Sequence, residues 1–254
     1  AGYRAEVFFW GGELSPERLG TILRARGFEA VLLDKVTDPG FLRRFPFASF
    51  MTVSLSVGMV RMPVHQVRLD NLRTVEDAYR RCRERGYRRI GLLLFDEWSA
   101  RDLIERRGAF LDAQEEARQK KTEAEAPYLL VPPGENSDTD LRQWVERYRP
   151  DAVIGLNFSL YWRLRKLGYR IPEDMAFLGL VNPVRKASAF AWYDAMDGEV
   201  VRTGLWLMDR LFRQNERGIP QRRMKILLDQ AFVDGESFPD KSTPAIPSIR
   251  STPC

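Results

Sequence analysis

Short apolar runs alternate along the chain with longer stretches in which apolar positions recur every three or four residues, the pattern of strands joined by helices. Residues 4–10 (RAEVFFW), 28–34 (FEAVLLD), 49–56 (SFMTVSLS), 65–70 (HQVRLD), 88–95 (RRIGLLLF), 126–132, 151–157 and 175–181 read as strands. A last strand is read over 223–233 (RMKILLDQAFV). Helices are predicted over 14–27, 72–86, 99–120, 139–150, 160–168 and 198–218. Ser15 is placed to cap the first of these, with Pro16 in its first turn and Gly27 at its end. In the second, Val75, Ala78, Tyr79 and Cys82 fall on one face and Gly86 supplies the stop. Gly108 is expected to interrupt the third, and FLRRFPF (41–47) reads as a turn or loop. From about Phe238 the Pro/Ser/Thr-rich tail has too little apolar content to order itself.

Repeated β-α-β order with short crossovers predicts the α/β class, as an open, doubly wound sheet split between two lobes. Ligands in such folds bind beyond the carboxyl ends of the strands. That points to Trp10, Gly11, Asp34, Ser54, Phe95, Asp96, Asn157, Val181 and Asn182.

Composition adds little that is specific. With 44% hydrophobic and 30% charged residues, the 254-residue chain is an ordinary globular mixture. No apolar run approaches the length that spans a bilayer, and no signal-peptide pattern opens the sequence. Cys82 and Cys254 make no disulfide framework, and a cytoplasmic location fits best. The net charge of +5 comes from arginine clusters interleaved with Glu and Asp, so it reads as solvated helix faces before it reads as a nucleic-acid surface.

Catalytic chemistry has no foothold. His65 is the one histidine and reads as structural or solvent-facing; there is no CxxC, HExxH or P-loop. Neither a cofactor nor a metal is expected, and the chain is not read as an enzyme. The paired carboxylates Glu115–Glu116 and Glu173–Asp174 fall on a solvated helix face and in a turn. Aromatics are more suggestive: Trp10 ends a strand, and Trp192 with Tyr193 is read in a loop before the last helix. Such rings beside a few polar groups hold sugar-like ligands, or are core.

Five blocks in order carry a family resemblance. They are VRLDNLRTVEDAYRRCRERGYRRIGLLL, RRGAFLDAQ, RPDAVIGLN, LRKLGYRIPEDMAFLGLVN, and GLWLMDRLFRQNERGIPQRRMKILLDQAFVDGES, which ends on a V-x-G-x-S motif. Together they resemble the effector-binding domain of the lactose-repressor (LacI/GalR) family of bacterial transcription regulators, across nearly the whole chain. The resemblance implies two Rossmann-like lobes with parallel sheets joined by three crossovers, as in type I periplasmic binding proteins. Residues 1–69 and 189–220 would form the N-terminal lobe and 70–188 and 221–238 the C-terminal lobe, with 239–254 a disordered tail. The family's first strand and helix, and its helix-turn-helix head, have no counterpart in these residues.

By the same resemblance the chain would sense a small molecule in the interlobe cleft, dimerise with a second copy, and reach operator DNA through that helix-turn-helix. No membrane partner is implied. A periplasmic-type solute-binding protein is the other reading; abundant arginine and the turn at Gln214–Pro220 favour the regulator. In sugar-responsive members an arginine three residues before the helix glycine grips the effector, and Glu105 stands there. Arg101 offers a charge nearby, Asn157 keeps the family's asparagine, and Val181–Asn182 replace an Asp-Asp pair. The expected effector contacts are therefore Trp10, Asp34, Ser54, Arg101, Glu105, Asn157, Asn182 and Trp192.

Overall fold

A computed structural model describes residues 4–9, 14–34, 36, 38–55, 62–96, 100–119, 126–132, 137–181 and 189–242, without the side chains of 100–102 and 137. In chain order the elements are α1 (Pro16–Ala25), β1 (Ala30–Leu33), α2 (Pro39–Arg44), β2 (Met51–Ser54), β3 (His65–Leu69), α3 (Asn71–Glu84), β4 (Ile90–Phe95) and α4 (Ala100–Gln119). There follow β5 (Tyr128–Val131), α5 (Ser137–Tyr148), β6 (Ala152–Gly155), α6 (Phe158–Lys166), β7 (Ala176–Gly179), β8 (Ala191–Asp194), α7 (Asp197–Gln214), β9 (Lys225–Leu228) and β10 (Ala231–Val233). The chain divides into two compact units, one comprising Ala1–Asp70, Ser99–Arg101 and Met196–Leu228, the other Asn71–Trp98, Asp102–Ala195 and Asp229–Cys254. The later returns thus fall after Ala195 and Leu228, where 189 and 221 were expected.

The first unit holds a parallel sheet of order β1-β2-β3-β9. Alternation along β1 sends Val31 and Leu33 to a cluster with Leu19, Leu23, Phe41, Phe45 and Phe47. Ala30 and Leu32 pack with Met51, Val53, Val67 and the α7 residues Val200, Leu207 and Leu211. Ser15 caps α1 as expected, its hydroxyl accepting from the Arg18 N–H at 3.2 Å. The stretch expected as a loop at 41–47 begins instead inside α2. Asp38 caps that helix through the Gly40 N–H (2.7 Å), and Phe41 stacks on Phe45 one turn later at 4.8 Å. Residues 4–9 form no strand: Val7 and Phe9 are exposed, and β1 is the sheet edge.

The second unit holds a sheet of order β10-β8-β7-β6-β4-β5, parallel except for the antiparallel β10. Its central strands are apolar on both faces, as burial between helices requires. Two expectations fail here. The single last strand over 223–233 is two strands of different sheets, broken at Asp229–Gln230. The segment with Trp192 and Tyr193 is not a loop but β8, inserted between β7 and β10. α4 passes through Gly108 without a break, since nothing about a lone helical glycine forces one.

The V-x-G-x-S stretch has a packing role. A Cβ on Gly235 would lie 2.0 Å from the Phe190 carbonyl oxygen, so only glycine lets the chain come that close. Buried Ser237 then bridges two strands: its hydroxyl donates to the Phe177 carbonyl (2.8 Å) and accepts from the Ala191 N–H (2.9 Å). The expected loss of order from 239 is also corrected for residues 239–242. The Tyr87 hydroxyl donates to the Pro239 carbonyl (2.6 Å), the Lys241 N–H donates to the Arg85 carbonyl, and the Lys241 ammonium lies over the Tyr87 ring.

Candidate functional site

A polar grouping of the second unit gathers where α3 begins. Buried Thr74 donates to the Gln230 side-chain oxygen at 2.9 Å, and the Gln230 amide donates to the Leu180 carbonyl just beyond β7 (3.3 Å). Gln230 sits in the break between β9 and β10, so that break places an amide against a helix start and a strand end. One turn along α3, the Asp77 carboxylate accepts from the Tyr193 hydroxyl (2.7 Å), from the Arg81 Nε (2.7 Å) and from Arg80. Burial pushes the Asp77 carboxyl up, but the hydrogen bonds from Arg81, Tyr193 and Arg80 outweigh it and hold the group below its ordinary range. Burial and the facing Asp77 carboxylate push the Tyr193 phenol well up, so it stays a donor. A cavity of about 190 Å³ opens here, lined by Arg73, Thr74, Asp77, Tyr193, Asp229 and Gln230.

A buried cation lies on the neighbouring helix. Arg106 is only 2% exposed, and its guanidinium donates to the Asn71 side-chain oxygen at 2.6 Å. A guanidinium is kept in a core only with hydrogen-bonding partners, so Asn71 and Arg106 are a built pair. Sequence reasoning passed over Arg106, although a signal exists. Leu103, Ala109, Phe110 and Ala117 mark the buried stripe of α4, and Arg106 falls on it while half-buried Glu105 does not.

The expected contacts divide as follows. Asp34 follows β1 and is exposed; Ser54 ends β2 and is 2% exposed. The pairing of Leu33 with Ser54 sets both at the carboxyl end of one sheet. Asn157, beyond β6, caps α6, its side-chain oxygen accepting from the Ser159 N–H (3.0 Å) and hydroxyl (2.5 Å), and its NH2 group is a further donor. Arg101 lies in α4 with its side chain outside the described residues, and Trp10 and Asn182 lie wholly outside them. Trp192 is corrected: at 3% exposure, in the middle of a sheet, its ring is core and offers no face to a ligand.

His65 is structural. Its Nδ1 accepts from the Met224 N–H (2.9 Å), which leaves the hydrogen on Nε2 to donate to Glu216 at 3.0 Å. Among the described residues no group of His, Cys, Asp and Glu is arranged to hold a metal ion. No helix among them is long and apolar enough to cross a membrane.

No family model matches the chain, and no curated protein matches its sequence. Solved structures do match its fold. One is a LacI family transcriptional regulator from Enterococcus faecium with bound ribose, 17% identical, with a TM-score of 0.66 over 88% of this chain and 84% of that one. Another is the transcriptional regulator CelR in complex with cellobiose, 20% identical, with a TM-score of 0.65 over 87% of this chain and 69% of that one. A third, a LacI family transcriptional regulator from Silicibacter pomeroyi, is 22% identical, with a TM-score of 0.60 over 88% and 84%. The fold is therefore the one that these LacI-family regulators share, as the five sequence blocks led one to expect.

Proposed function

We propose that this chain is the effector-sensing and dimerisation domain of a LacI-type transcription regulator, and that its effector is a sugar or a similar polar small molecule. The observation that carries the reading is the shared fold over most of the chain, in proteins two of which hold ribose or cellobiose. Effector contacts are assigned to the carboxyl ends of the strands. There Asp34 and Ser54 supply hydroxyl-binding groups in one unit, and Asn157 supplies an amide in the other. Arg101, Glu105, Trp10 and Asn182 remain assigned to the same role by resemblance.

The mechanism is a population shift: effector and operator DNA favour different states of a homodimer, so binding one changes affinity for the other by the same factor. DNA contact is assigned to a helix-turn-helix head of the family's kind, and the location to the cytoplasm.

The test is a thermal-shift screen of the purified chain against ribose, cellobiose and the common hexoses. A true effector at a hundred times its Kd stabilises by about 2.7 kcal/mol, and Asp34→Ala should weaken that response. A melting point unmoved by every sugar up to about 10 mM, where binding even ten times weaker than micromolar saturates, counts against a sugar effector. Sedimentation that finds only monomer at every concentration counts against the dimer.

A further inference from the structure

We propose that the second unit carries a binding site for a small neutral polyol, in the cavity beside the start of α3. The site lies wholly within that unit and does not depend on the regulator reading. Every side chain lining it is polar: Arg73, Thr74 and Asp77 from α3, Tyr193 from β8, and Asp229 and Gln230 from the break between β9 and β10. At about 190 Å³ it exceeds the roughly 150 Å³ that takes a benzene and falls short of the roughly 300 Å³ where drug-sized pockets begin. A solute of a few carbons fits that space.

The floor is fixed before any ligand arrives. Tyr193 and Arg81 hold Asp77, and Thr74 and the Leu180 carbonyl hold Gln230. On the rim the Asp229 carboxylate is exposed and has no side-chain partner among the described residues, while the exposed Arg73 pairs with Glu76 at 3.6 Å. Pre-set floor groups with an open acceptor above them are what a weak, specific polar site requires.

Charge then selects the ligand. A bare cation would meet Arg73, with Arg81 behind Asp77; a bare anion would meet Asp77 and Asp229. An apolar solute would cover polar groups on every lining side chain without pairing them. What remains is a neutral molecule whose groups both donate and accept, and a hydroxyl does so within one atom. Neighbouring hydroxyls of a polyol can donate to Asp229 and accept from Arg73 or the second hydrogen of the Gln230 amide. The place is also a consequential one in the chain: Arg73, Tyr193 and Asp229 each lie within a few residues of one of its three passages between the units.

The experiment is a titration of the full chain, labelled with ¹⁵N, with xylitol, and in parallel with sodium acetate and propylammonium chloride. Saturable shifts at the amides of Arg73, Asp77, Tyr193 and Gln230 are expected with xylitol and not with either salt. Asp229→Ala and Arg73→Ala remove exposed rim groups, and each should weaken xylitol binding about tenfold, as loss of a hydrogen bond to a charged group does. Three results overturn the proposal: no saturable shift by about 0.1 M xylitol, where a millimolar site is full; saturation by acetate or propylammonium instead; or undiminished xylitol binding in both variants.

Discussion

Replacing Ser237 by alanine removes one oxygen from the second unit and should cost far more than one exposed hydroxyl. That oxygen joins β7 to β8, donating to the Phe177 carbonyl at 2.8 Å and accepting from the Ala191 N–H at 2.9 Å, in a side chain 2% exposed. In Ser237→Ala both backbone groups lose this partner inside the core. A buried polar group left without its partner costs about 1–3 kcal/mol, so the sum is about 2–4 kcal/mol after partial relaxation. Against a total of about 5–15 kcal/mol for a domain, that is a large fraction. Gly235→Ala should cost more still, because the added carbon would lie 2.0 Å from the Phe190 oxygen and 2.2 Å from its carbon, both backbone atoms that move only with the strand. Urea unfolding followed by tryptophan fluorescence suits the test, since Trp144 and Trp192 are buried in the second unit and report its transition even if the two units unfold separately. A Ser237→Ala loss under about 0.5 kcal/mol, the scatter of ordinary surface changes, would refute the reasoning. So would a Gly235→Ala protein as stable as the parent.

Three further outcomes follow from the same kind of accounting. Asn71→Ala should destabilise by about 1.5–3 kcal/mol, by stripping a buried guanidinium of a partner; adding Arg106→Met should recover part of the loss, and a double variant worse than the single one would contradict a costly buried charge. Because Asp77 titrates lower in the folded chain than its free value of about 3.9, its contribution is complete above that pH and is lost as pH falls through the depressed folded value. Asp77→Asn should therefore flatten the acid limb of a stability-against-pH curve, and an unchanged limb would remove Asp77 as its source. Asp38→Ala should cost about 1 kcal/mol by uncapping α2, read from the melting point, while Glu17→Ala, exposed on α1, should change little.

The repeated alternation of apolar runs and amphipathic stretches was enough to fix the α/β class, because burial on both faces of a parallel sheet writes continuous apolar strands such as Ile90–Phe95. Local chemistry was equally legible: the Ser15 cap, the Gly27 and Gly86 stops at φ 77 and 82, and the buried face of α3 need only neighbours in sequence. The carboxyl-end rule likewise places Asp34 and Ser54 at strand ends, and the pairing of β1 with β2 sets both at one end of one sheet.

What tertiary structure decided depends on partners far away in the chain. Trp192 and Tyr193 read as a loop because polar Asp194 and the turn after it mask a four-residue strand, and only pairing with β7 and β10 makes it one. Residues 4–10 read as a strand, yet a strand exists only where a neighbour supplies its ladder, and 4–9 have none. The break at Asp229–Gln230 is invisible to periodicity, since apolar residues lie on both sides; it is set by β9 and β10 belonging to different sheets. The polar groups that matter most come from distant segments: Arg106 with Asn71, Gln230 with Thr74, Tyr193 with Asp77. Sequence fixes which residues can donate, accept or hide from water, while the fold alone fixes which of them meet.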